Sequence, residues 1–239
     1  MLRPGAIEPS ITPMVERLRG GLVVSCQAPA DSPLREPSTI AAMAQAAVMR
    51  GAAGIRLDTP EHVRAARSRL GANVPIIGLW KQTLPGSSVY ITPRFADAQA
   101  IAAAGADIIA IDATFRSRPE GDTATHLIER IHRDLGKLVM ADIDTLEAAE
   151  AAAGAGADLI GTTLYGYTEE TQGQRPPGWN LLAQMVDRLS VPCLCEGGIA
   201  SPEMARQAIE AGAFAVVVGT AITGIDLQVM AYQRALNRP

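Results

Sequence analysis

The sequence predicts a (β/α)8 barrel, and three observations carry that prediction. Short β-branched runs alternate with longer alanine-rich stretches from Gly21 almost to the end of the chain, these runs number eight, and helical stretches close repeatedly on one Ala-Gly-Ala turn. Alternation of this kind reads as a parallel sheet covered by helices, and a count of eight favours closure into a barrel. An open doubly wound sheet is the alternative. It is disfavoured because no Gly-rich dinucleotide fingerprint follows the first strand. The 239 residues suit a single unit, since α/β barrels of roughly 200–250 residues form one domain. We expect one barrel domain over 1–239, with 1–20 as an N-terminal extension or helix.

In order, the strands are expected at "GLVVSC" (21–26), "AGIRL" (53–57), "PIIGLWK" (75–81), "DIIAID" (107–112), "LVMADI" (138–143), "DLIGTT" (158–163), "PCLCEG" (192–197) and "AVVVGT" (215–220). Each is a short run rich in Val, Ile or Leu, of strand rather than helix length. Between them, "PEHVRAARSRL" (60–70), "RFADAQAIAAA" (94–104), "TLEAAEAAAGA" (145–155) and "PEMARQAIEA" (202–211) read as helices, the last capped by Ser201. Gly105, Gly156 and Gly212 stand where a helix must end before the next strand begins.

The formal net charge of −4 comes with no basic patch or block of like charge, so neither nucleic acid nor a membrane surface is expected as partner. No segment has the apolar core of a signal peptide or the length of a membrane span, which points to the cytoplasm. The three cysteines, Cys26, Cys193 and Cys195, fall in expected strands and read as reduced packing residues. A catalytic thiol at Cys26 is the less favoured alternative. His62, His126 and His132 are expected at the surface, and no metal site is expected.

The strand ends carry the chemistry. Reading them in order gives Gln27, Arg56, Lys81, Asp112, Asp142, Thr162 with Thr163, and Glu196. A packed barrel interior offers no reason for so many polar ends, so they are expected to converge on one pocket. Alternation places Ile77, Leu79 and Lys81 on one face and Gly78 with Trp80 on the other. A buried ion pair of Lys81 with Asp142 or Glu196 is the structural alternative. Gly197 and Gly198 follow the seventh strand, Gly219 and Thr220 the eighth, where exposed backbone N–H groups make a phosphate site in many barrels. A phosphosugar is the expected ligand.

With these residues on the page, the chain resembles the N-acetylmannosamine-6-phosphate 2-epimerases of sialic acid catabolism. The resemblance is carried by "GLVVSCQAP" (21–29), "GIR" (54–56), "PIIGLWK" (75–81), "ITPRFADAQAIAAAGADIIAIDATFRSRP" (91–119), "LVMADI" (138–143), "GADLIGTTLYGYT" (156–168), "CEGGI" (195–199) and "AVVVGTAIT" (215–223). It implies interconversion of N-acetylmannosamine 6-phosphate and N-acetylglucosamine 6-phosphate without metal or other cofactor. It also implies that Lys81 moves the proton at C2, that Glu196 is its acid/base or electrostatic partner, that Gln27, Arg56 and Asp142 bind the sugar, and that the enzyme is a homodimer. Leu227, Met230 and Leu236 of the last helix are compatible with that dimer.

One position departs from the pattern. Similar enzymes carry an arginine directly after "AIT", where it pairs with the substrate phosphate, and here the residue is Gly224. Backbone amides aided by Arg56 or an arginine of the 113–122 loop are expected to replace it, and Gly224→Arg is expected to strengthen the site. The other readings are an epimerase of the unphosphorylated sugar, a Schiff-base lyase or aldolase acting through Lys81, and a barrel that only binds a phosphosugar.

Overall fold

The eight runs become eight parallel strands, hydrogen-bonded in chain order around a closed barrel in the computed structural model, which describes residues 11–237. They are β1 (Leu22–Cys26), β2 (Gly54–Asp58), β3 (Ile76–Leu79), β4 (Ile108–Asp112), β5 (Leu138–Asp142), β6 (Leu159–Gly161), β7 (Cys193–Glu196) and β8 (Ala215–Val218). Closure is made by β8 against β1, with Val217 opposite Val23. The helices are α1 (Pro13–Glu16), α2 (Pro37–Met49), α3 (Pro60–Leu70), α4 (Phe95–Ala103), α5 (Ala124–Arg130), α6 (Leu146–Gly154), α7 (Trp179–Arg188), α8 (Pro202–Glu210), α9 (Thr220–Thr223) and α10 (Ile225–Leu236).

Local chemistry explains the boundaries. Ser201 accepts a hydrogen bond from the Met204 N–H at the start of α8, and Thr59 and Thr145 do the same for α3 and α6. Gly105, Gly156 and Gly212 sit at φ of +105°, +92° and +95°, the region that glycine enters without a Cβ penalty, so the repeated turn ends each helix. Of the expected N-terminal extension, residues 1–10 lie outside the described residues. Val15 and Leu18 pack into the barrel interior with Val23 and Phe214 and fill its lower end.

Strand alternation sorts the core into two layers. Ile77, Leu79, Ala110, Met140, Leu194 and Val217 fill the barrel interior, whereas Ile76, Ile109, Val139, Ile160, Val216 and Val218 pack outward against the helices. Gly78 faces outward as expected, where a Cβ would sit 2.6 Å from Ile101 and 2.8 Å from Ala106. Among the described residues no helix is long and apolar enough to cross a membrane. The last helix, α10, has no buried residue, and it exposes Ile225, Leu227, Val229, Met230, Tyr232 and Leu236.

Candidate active site

The same alternation selects which strand ends reach the mouth. Counting in twos from the interior residues brings Gln27, Asp58, Lys81, Thr163, Glu196 and Gly219 inward, and all six line one cavity of about 850 Å³ at the C-terminal ends of the strands. Arg56 lies at its floor, 1% exposed.

Lys81 stands two residues beyond β3, where a single antiparallel bridge to Ile91 prolongs the strand. Its backbone N–H donates to Asp58 Oδ1 at 2.9 Å, and its Nζ donates to Gln27 Oε1 at 2.6 Å. The side chain reaches the open cavity, yet the surrounding walls strip enough hydration to push its pKa below the ordinary lysine value. Arg56 pushes the same way, and Asp58, Glu196 and Asp142 oppose it. The expected alternative, an ion pair of Lys81 with Asp142 or Glu196, is not formed. Those carboxylates belong to Arg56.

Arg56 Nη1 and Nη2 donate to Asp142 Oδ1 and Oδ2 at 3.1 and 2.6 Å. Its Nε lies 3.2 Å from Glu196 Oε1, within ion-pair range but not aligned as a hydrogen bond. Burial works against the charge of this guanidinium, and the two carboxylates more than offset it, raising the pKa above the usual arginine value. Asp142 is fully buried beneath Arg56 and does not line the cavity. Its carboxylate is turned to Arg56 and Thr163.

Thr163 Oγ1 lies 2.6 Å from Asp142 Oδ1 and 3.1 Å from Glu196 Oε2. A hydroxyl has one proton to give. If it goes to Asp142, the second contact is satisfied when Glu196 itself carries a proton and donates. Burial, the largest cause, and the Asp142 charge raise the Glu196 pKa to about 7 against the opposing pull of Arg56, Thr163 and Lys81. Glu196 thus holds its proton close to neutral pH, the condition for a group that both gives and takes one.

That shift has a consequence for stability. An unfolded glutamate releases its proton near pH 4.5, the folded one near 7, so folding loses stability as pH rises through this window. Glu196→Gln removes the loss. Each pKa unit is about 1.4 kcal/mol and 1 kcal/mol is roughly 2–4 °C for a chain of this size. The melting temperature of Glu196→Gln relative to wild type should therefore be several degrees more favourable at pH 8 than at pH 4.5, as calorimetry at the two pH values would show. An offset independent of pH would contradict the raised pKa.

Gly197, Gly198, Gly219 and Thr220 line the same cavity. Gly198, at φ +72°, passes so close to Pro176 that a Cβ would sit 2.6 Å from its carbonyl carbon and oxygen. Gly224 is equally tight, since a Cβ there would come 2.7 Å from Thr220 Cα. An arginine at 224 cannot enter without moving α9, which corrects the expectation that Gly224→Arg would strengthen the site. The arginines expected in its place are each engaged by protein partners. Arg56 is held by Asp142 and Glu196, while Arg116 is paired with Asp112 at 2.5 Å and Arg118 is turned to the carbonyls of Thr92, Pro93 and Asp112.

Besides Asp142, two strand ends do not join the cavity. Asp112 has inward parity but is taken up by Arg116 and Thr114, and Thr162, one residue out of phase, ties β6 to β7 through the Glu196 backbone. His62 is buried, not at the surface, because its ring bridges the Asp58 and Arg35 carbonyls at 2.6 and 2.7 Å. Cys26 faces the helix layer, and burial pushes its thiol up to about 12, so it is no nucleophile. Sequence reasoning missed Asp58, Tyr90, Tyr167 and Arg35, all in the cavity wall. Alternation from Arg56 would have found Asp58; the other three stand on loops, where no periodicity points. Among the described residues no group of three or more His, Cys, Asp or Glu side chains is placed to hold a metal ion.

A closed parallel barrel with a lysine, a neutral-range carboxyl and a buried guanidinium at the C-terminal mouth defines a (β/α)8 enzyme of proton-transfer type. The family model described as "Putative N-acetylmannosamine-6-phosphate epimerase" matches residues 40–238. A relative from Synechococcus elongatus, named "Putative N-acetylmannosamine-6-phosphate 2-epimerase", is 69% identical over 93% of this chain and 96% of its own. One of the same name from Cutibacterium acnes is 43% identical over 88% and 91%. The solved structure of the N-acetylmannosamine-6-phosphate 2-epimerase from Clostridium perfringens superposes with a TM-score of 0.88 at 34% identity, covering 97% of this chain and all of that one. The chain belongs to the N-acetylmannosamine-6-phosphate epimerase family.

Proposed function

We propose that this protein, an epimerase interconverting N-acetylmannosamine 6-phosphate and N-acetylglucosamine 6-phosphate, works through Lys81 and Glu196, with the described residues forming one barrel domain. The observation that carries this reading is that both side chains line one cavity with the Arg56 guanidinium beneath them. In the open-chain sugar C2 lies next to an aldehyde, and its proton is acidic enough for an amine to remove if the enolate is stabilised. Lys81, its pKa lowered, takes that proton. Arg56, fixed by Asp142, provides a charge that needs no reorganisation as the enolate forms, and Glu196 supplies or receives the second proton. Gln27 and Thr163 contact the sugar beside them, while the amides around Gly197, Gly198, Gly219 and Thr220 hold the phosphate. Asp142 acts from below through Arg56.

Turnover of the 6-phosphate ester against the free sugar tests the substrate. The phosphorylated sugar should have the higher kcat/KM, and equal or better turnover of free N-acetylmannosamine would contradict the phosphate assignment.

The setting that follows is sialic acid breakdown in the cytoplasm, with the protein as a homodimer. The exposed apolar side chains of α10 support the dimer, since Ile225, Leu227, Val229, Met230, Tyr232 and Leu236 are 44–76% exposed on one helix. Light scattering should give twice the chain mass of 25.1 kDa, and Met230→Glu with Leu236→Glu should shift it to the single chain. A monomeric wild type would overturn the dimer.

A further inference from the structure

Three cations line the catalytic cavity, and two are already committed: Lys81 to Gln27, and Arg56 to Asp142 and Glu196. The third is Arg35, on the single turn Pro33–Arg35 that follows β1, with its side chain 31% exposed. Its Nη1 donates to the Ala28 carbonyl at 2.8 Å, while Nη2 is only 3.5 Å from Asp58 Oδ2, at the weak limit of a hydrogen bond. A guanidinium has five N–H donors, so most of Arg35's capacity remains for a ligand.

The backbone that carries it is fixed at two points. The buried His62 ring contacts the Arg35 carbonyl at 2.7 Å, and on the other side Ser32 Oγ donates to Asp226 Oδ2 at 2.9 Å. Asp226 lies two residues past Gly224, so the loop after β1 is docked against the start of α10. Arg35, Gly219, Thr220 and Gly224 all line the same cavity. A dianionic phosphate in a wall that also carries Asp58 and Glu196 requires a cation beyond the two at the chemical end.

We propose that Arg35 is the phosphate-recognising cation of this enzyme, a specificity-determining residue that acts from the loop after β1. The inference rests on the reading of the substrate as a phosphate ester. Exchanging the long Asp58 contact for a phosphate oxygen sacrifices little, and the anchored backbone limits the ordering that binding requires.

Arg35→Gln and Arg35→Lys in the intact protein test it, with kcat/KM measured for N-acetylmannosamine 6-phosphate and for the free sugar, and with inorganic phosphate as a competitive inhibitor. Arg35→Gln should lose roughly ten- to a hundred-fold on the phosphorylated sugar, the range of one charge-assisted hydrogen bond, mainly through KM. Its loss on the free sugar should be at least about ten-fold smaller, inhibition by phosphate should weaken, and Arg35→Lys should recover part of each. Losses of equal size on both sugars, or none, would overturn the inference while a wild-type preference for phosphate stood. A wild type indifferent to phosphate would overturn the substrate reading and the inference with it.

Discussion

Lys81→Ala is expected to leave a folded protein that has lost turnover by roughly 10³-fold or more, toward the upper part of the range for a positioned acid/base. Among the described residues the side chain's hydrogen bond is to Gln27, and its placement comes from the backbone, through the Asp58 carboxylate and the bridge to Ile91. Alanine therefore removes the amine without opening the core. Circular dichroism and the melting temperature should match wild type, while kcat falls far more than KM rises. An unfolded variant would mean that Lys81 is structural, and a variant with near-normal kcat would assign the proton transfer to another group.

Arg56→Met is expected to damage both stability and catalysis. It leaves Asp142 buried without its cation, and breaking a buried pair in this way costs about 3–5 kcal/mol, or a melting temperature lower by roughly 6–20 °C. Turnover should fall by roughly 10²–10³-fold, the scale for removing a fixed stabiliser of developing negative charge. The double variant Arg56→Met with Asp142→Leu separates the two effects. With both charges gone much of the stability should return, whereas activity should not. Recovery of activity in the double variant would show that Arg56 serves the fold alone.

The eight strands, and the helices at 60–70, 94–104, 145–155 and 202–211, were legible because each depends on its own residues: β-branched runs, a threonine or serine cap on all of these helices but the one at 94–104, and a glycine at each helix end. The inward set of strand ends was legible too, since alternation is a local property. What alternation cannot say is which inward groups satisfy each other across the barrel. Arg56 on β2 reaches Asp142 on β5 and Glu196 on β7, pairings over 86 and 140 residues of chain that only closure creates. For the same reason Lys81 was open to an ion pair by sequence and is free of one in the fold. Arg35 and Tyr167 were invisible because irregular loops carry them, and Gly224 read as a lost arginine until its distance to Thr220 showed that the backbone there leaves no room for one.

The central claim is that a side-chain base at the barrel mouth removes and returns the C2 proton. A proton NMR time course of N-acetylmannosamine 6-phosphate with the purified protein in D2O tests it most directly, because it reports product identity and exchange at C2 together. Conversion to N-acetylglucosamine 6-phosphate with deuterium at C2 is the predicted result, since the protons carried by Lys81 and Glu196 at an open cavity exchange with solvent between removal and delivery. Product that keeps hydrogen at C2 in D2O, with no deuterium there, would contradict the account.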